Sequence, residues 1–115
     1  MPPTHQCVYR KMDHLFKCIY NQTIDIEFDP HKSRVNERER GLPLVLASQF
    51  EFETAIFRVD ARCDYGEARI RALGKINGRV HVVVFTEREH AIRIISLRKA
   101  NRREVYLYEQ EINRS

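Results

Sequence analysis

Glu67, Arg69 and Arg71 alternate with Ala68, Ile70 and Ala72, so in a β-strand all three project from one face. A carboxylate set among guanidinium groups has two readings. One is a structural ion pair. The other is a general base or acid beside phosphate-binding arginines. Cleavage of RNA needs little more than the second: the ribose 2′-OH attacks, a base accepts its proton, and cations hold the charge growing on the phosphoryl oxygens. That chemistry requires no metal.

A second basic stretch, Ala91 to Glu104 (A-I-R-I-I-S-L-R-K-A-N-R-R-E), carries Arg93, Arg98, Lys99, Arg102 and Arg103 against one carboxylate. Ile92, Ile94, Ile95 and Leu97 make its first half an inner strand. Asn101 is a good N-cap, and Glu104 three residues on completes a capping box, so a helix starts there. Arg102 and Arg103 then sit in the first turn, where the helix dipole already places partial positive charge. Breaking that local rule marks a site, and a polyanion is the partner that would satisfy it. The alternative is a solvated basic face.

Other candidates are weaker. His81 lies in a strand and His90 in a tight loop; either could titrate near neutrality, but neither has a sequence neighbour that marks it as catalytic. His5, Cys7, His14 and Cys18 are competent zinc ligands at a spacing that matches no metal pattern. Cys63 reads as an ordinary loop thiol. Glycine-rich phosphate loops, zinc-protease and serine-hydrolase motifs are absent from the sequence.

The elements that must position these groups form one domain of 115 residues. The chain is 43% hydrophobic and 31% charged, as in a soluble globular protein, with a net charge of +4 that suits nucleic acid or an acidic protein. No apolar run is long enough to span a bilayer and the N-terminus has no secretory h-region, so a cytoplasmic location without membrane contact is expected. Three cysteines without C-x-x-C spacing argue against a disulfide framework.

Residues 1–23 read as an extension outside the fold, with a short amphipathic helix from about Arg10 to Tyr20. The domain proper spans 24–115. Ile24 to Phe28 is a short strand or extended lead-in. Asp29-Pro30 opens a polar surface helix that stops at Gly41. Leu42 to Phe52 is apolar enough for a second helix packed on a sheet. Four strands follow: Thr54–Val59, Glu67–Lys75, Arg79–Thr86 and Ala91–Leu97, with Asn77-Gly78 as a hairpin turn. A last helix, Arg102 to Asn113, turns Val105, Tyr108 and Ile112 toward the sheet. The expected class is α+β: a four-stranded antiparallel meander with two N-terminal helices and one C-terminal helix, the helices covering one face.

Four stretches, in this order, resemble the BrnT family of type II toxins, related in fold to RelE-like ribonucleases: I-E-F-D-P-H-K…N (Ile26 to Asn36), Y-G-E-A-R-I-R-A-L-G (Tyr65 to Gly74), V-V-V-F-T (Val82 to Thr86) and R-I-I-S-L-R-K-A-N-R-R-E (Arg93 to Glu104). The resemblance implies a small ribonuclease that inhibits translation. It also implies neutralisation by a BrnA-like antitoxin whose ribbon-helix-helix domain binds DNA, and a toxin homodimer within that complex. No cofactor is implied. Carried over by motif, the site is Glu67, Arg69, Arg93, Ser96, Arg98 and Arg103, with Lys99 and Arg102 on its rim. Glu67 would accept the proton; Arg93 and Arg98 would clamp phosphate. This chain has Glu39-Arg40-Gly41 where the family usually has Lys-His-Gly, and Phe28 where it usually has Trp. Two other readings stand beside this one: a degenerate toxin serving only as the antitoxin's corepressor partner, and a basic RNA-binding domain.

Overall fold

The computed structural model describes residues 9–11, 25–60, 69–88 and 91–114. In chain order its elements are β1 (Arg10–Lys11), β2 (Asp25–Phe28), α1 (Pro30–Arg40), 3-10 turns at Leu44–Gln49 and Phe52–Thr54, β3 (Ile56–Asp60), β4 (Arg69–Ile76), β5 (Arg79–Glu87), β6 (Ala91–Lys99) and α2 (Arg102–Ile112). Local chemistry sets most of these ends. Asp29 accepts the His31 amide at 2.8 Å to start α1, and Gly41, at φ 76°, closes it. Asn77 and Gly78 both take positive φ, 52° and 82°, as a type I′ turn between β4 and β5 demands. Asn101 and Glu104 form the complete capping box of α2.

The α+β class holds, and β3 to β6 pair antiparallel in sequence order as expected. The sheet is nevertheless mixed, with order β1-β3-β4-β5-β6-β2. β2 joins its far edge parallel to β6, with Glu27 opposite Arg93. A four-residue strand carries no signal of its partner; here Ile26 and Phe28 pack on the core beside β6. At the other edge β1 pairs with β3. The helix expected from Arg10 to Tyr20 therefore begins as a strand, and its remainder lies outside the described residues, as do residues 1–8 and 21–23 of the N-terminal extension.

The second expected helix is replaced by the two 3-10 turns. Leu44, Ala47 and Phe50 are buried and spaced three apart. That period lines up along a 3-10 helix and would spiral away on an α-helix. Phe50 ends flat against the backbone of Gly74, where an added Cβ would lie 2.6 Å from the ring tip. The ring is buried and packs edge-on to Phe52 at 4.8 Å, so it has little room to yield. Gly74→Ala should destabilise the fold by about 1–3 kcal/mol, read as a lower urea midpoint with unchanged slope.

The helices also cover both faces of the sheet, not one. Phe57, Ile70, Ala72, Val83, Phe85, Ile94 and Leu97 face the α1 side with Leu44 and Ala47. Ile56, Leu73, Val80 and Val82 face α2, under Tyr108, Val105 and Ile112. The central strands are apolar at both parities (Val82 and Val83, for example), which is the pattern of a sheet covered twice.

α1 is almost wholly polar, so an apolar stripe cannot hold it down. Its buried residues are Ser33 and Asn36. The Ser33 hydroxyl accepts the Leu44 amide at 2.9 Å. The Asn36 side-chain amide donates to the carbonyls of Leu42 (2.7 Å) and Leu97 (2.8 Å), and its oxygen accepts the Leu97 N–H at 3.4 Å. The β2–β6 pairing ends at Phe28 and Ile94. Asn36 thus stands in for a strand partner where the edge of β6 runs on alone.

Candidate active site

Register alone gathers the arginines. Residues directly opposite in a sheet share a face. Arg58 on β3 is opposite Arg71 on β4, which is opposite Val84 on β5, which is opposite Ser96 on β6. The next row holds Thr86 on β5, Arg93 on β6 and Glu27 on β2. Arg69 lies two residues from Arg71 on the same strand face, and Arg98 two from Ser96. All of these are on the α2 face. The apolar side of α2 occupies the neighbouring end of that face, over Ile56, Leu73, Val80 and Val82, and leaves the arginine end beyond it.

Arg93 and Ser96 are three residues apart, and in a regular strand they would face opposite ways. A register shift between Val84 and Phe85 leaves Ile95 without an opposite number, and this bulge brings both to one face. Four of the expected site residues, Arg69, Arg93, Ser96 and Arg98, are brought together in this way. Lys99 is not. It follows Arg98, pairs with His81 and points from the other face, so its place on the rim is withdrawn. Arg102 and Arg103 are exposed on the first turn of α2. Glu67 lies outside the described residues, as do His5, Cys7, His14, Cys18, Cys63 and His90.

Arg58 was not anticipated; its neighbour in space, Arg71, is 13 positions away, and only strand register reveals the pair. Arg71 was legible as a partner of Arg69 by alternation.

The guanidinium groups differ in what they hold. Arg98 grips Glu104 with both terminal nitrogens, at 2.8 and 2.7 Å. The same carboxylate accepts the Asn101 N–H at 2.9 Å. Burial pushes the Glu104 carboxyl up, but its hydrogen bonds to Arg98 and Asn101, with the charges of Arg98 and Arg71, outweigh that and hold it below the usual range. The same bond raises Arg98 above its ordinary value. Arg98 is therefore an anchor between β6 and α2. Arg93 meets Glu27 at 3.2 Å, and Arg88 approaches the same oxygen at 4.0 Å. The Glu27 side chain is 47% exposed, so this pair is screened by solvent and readily exchanged for another anion. Opposite Arg93, the buried Thr86 hydroxyl has no hydrogen-bond partner among the described residues.

His81 belongs elsewhere. It lies on the α1 face, opposite Gly74, and its Nδ1 donates to the Arg79 carbonyl at 2.7 Å. Burial lowers its pKa, so the folded state keeps a neutral ring. Protons then bind the unfolded chain more readily, and stability rises with pH. The His81 contribution is complete above its ordinary pKa of about 6.5 and is lost as pH falls below it. Thermal melts between pH 5 and 7.5 should show this slope, and His81→Gln should flatten it.

Among the described residues no helix is long and apolar enough to cross a membrane. Residues 28–104, about two thirds of the chain, match the sequence model of a family described as the ribonuclease toxin BrnT of type II toxin-antitoxin systems. No curated protein matches the chain. Glu39-Arg40-Gly41 falls within the matched span, exposed at the end of α1, on the far side of the sheet from the arginines.

Proposed function

We propose, on the premise that this chain belongs to the BrnT family of ribonuclease toxins of type II toxin-antitoxin systems, that the arginine end of its α2 face cleaves RNA without a metal. The observation that carries this reading is the convergence of Arg69, Arg71, Arg93 and Ser96 on one sheet face just past the N-terminus of α2. Arg69 and Arg93 hold the phosphoryl oxygens, and Arg93 leaves Glu27 to do so. Glu67, assigned by motif, accepts the 2′-OH proton. Ser96, Arg102 and Arg103 hold the flanking backbone. Arg98 positions the α2 N-terminus through Glu104 and adds positive charge to the site.

In this reading the protein acts in the cytoplasm, stops translation by destroying RNA, and is silenced by a BrnA-like antitoxin. It meets DNA only through that antitoxin, as a toxin dimer within the complex. The degenerate alternative, an antitoxin-binding corepressor module without activity, draws on one observation: Arg93 and Arg98 each hold an internal carboxylate.

Expression of the protein alone should arrest growth and degrade bulk RNA, and the purified protein should cleave RNA equally with and without EDTA. Normal growth with intact RNA at confirmed expression would favour the degenerate module. Loss of cleavage in EDTA would remove the metal-free mechanism.

A further inference from the structure

Arg58 and Arg71 stand directly opposite each other on adjacent antiparallel strands, an arrangement in which like charges repel. Tyr9 accompanies them. Its ring lies 5.2 Å from the Arg58 guanidinium carbon; burial raises the pKa of its hydroxyl, and the charges of Arg58 and Arg71 oppose that rise. The ring is half-buried against the apolar cluster under α2, close enough to Arg98 and Glu104 for their charges to be felt.

We propose that Arg58, Arg71 and Tyr9 form a phosphodiester subsite, and that its tyrosine comes from a segment outside the family-matched span. Charge is the first support. Arg58, Arg71 and Arg98 gather here around Tyr9, and Glu104, the carboxylate near Arg71 and Arg98, is engaged by Arg98 and the Asn101 N–H. Register sets Asp60 opposite Arg69, not opposite Arg58 or Arg71, so the Arg58–Arg71 pair holds two like charges face to face. Donor geometry is the second. A phenolic hydroxyl has a proton to donate, and two guanidinium forks with one hydroxyl suit the oxygens of a phosphate diester. Place is the third. Ser96 ends the same row, and Arg69 and Arg93 lie one step along the face, so a bound strand passing over them puts a neighbouring phosphate on this subsite.

The inference rests on the ribonuclease reading for the identity of the ligand, and its test is made independent of cleavage. The probe is a short single-stranded RNA with every ribose 2′-O-methylated, which binds but has no nucleophile. Its affinity is read by fluorescence anisotropy at two salt concentrations with the full chain. Tyr9→Phe keeps the ring and should weaken binding about fivefold to tenfold with an unchanged melting temperature, the effect of one hydrogen bond to a charged group. Arg58→Gln and Arg71→Gln should each weaken it about tenfold or more and reduce the salt slope by roughly one phosphate contact. Wild-type affinity in all three variants overturns the subsite even if the protein cleaves RNA. Weakened binding in a protein that never cleaves keeps the subsite and sinks the ribonuclease reading. A Tyr9→Phe protein that melts early while binding normally makes Tyr9 a packing residue and overturns its assigned role.

Discussion

Asn36→Leu should cost the fold about 3–4 kcal/mol, the range reached when a buried hydrogen-bond network is broken. The substitution nearly preserves volume, so packing changes little. It strands the carbonyls of Leu42 and Leu97, which receive the Asn36 amide at 2.7 and 2.8 Å, and removes the acceptor of the Leu97 N–H. Each buried group left without a partner loses its full solvation. Because α1 buries only Ser33 and Asn36, nothing apolar compensates. Denaturant titration reads the loss directly. A leucine variant within 1 kcal/mol of wild type would mean that α1 is held mainly by contacts other than this amide.

The second large effect concerns Arg98, and the structure alters what sequence alone leads one to expect of it. A free phosphate clamp could be removed with the melting temperature barely moved. A guanidinium forked onto Glu104 cannot. Arg98→Ala should lower RNA cleavage by about 100-fold or more, as for loss of a positioned transition-state cation. It should also lower stability by about 1–3 kcal/mol, the cost of hydrogen bonds between charged groups. Glu104→Gln separates the two roles. If Arg98 acts by holding α2 in place, this variant loses activity together with stability. If Arg98 contacts phosphate directly, freeing it tightens RNA binding while stability still falls. Because the folded-state pKa of Glu104 is depressed, its ion pair stabilises fully above the ordinary glutamate value of about 4.3, and that contribution is lost as pH falls through the folded value.

Features encoded by neighbouring residues were legible, and features encoded by register were not. Asp29-Pro30 with Gly41, Asn77-Gly78, and Asn101 with Glu104 each state their geometry within a dozen residues, and α1, the β4–β5 hairpin and the α2 start follow from them. Leu44, Ala47 and Phe50 carry the 3-10 period openly, but the apolar density of the run suits an α-helix equally well, and density says nothing of pitch. The placement of β2 was hidden, since Ile26 and Phe28 say only that one side of a short strand is buried. Strict alternation would have put Arg93 and Ser96 on opposite faces; motif likeness kept them together, and the bulge at Ile95 is the physical reason. Lys99 failed by the same alternation, one residue past the end of the useful parity. Arg58 meets Arg71 only through cross-strand pairing, and Tyr9 comes beside Arg58 where β1 meets β3, to which no local pattern points.

The edge pairing of β2 has a consequence for the order in which the molecule is made. Glu27 sits beside Arg93, so the strand synthesised early must wait for one that emerges 66 positions later. Contacts this distant in sequence form late, after the meander that supplies their template. A chain halted before β6 lacks Arg93, Ser96 and Arg98 and has no edge on which to seat β2. If the arginines of β6 carry the activity, an unfinished copy is harmless to the ribosome that is building it.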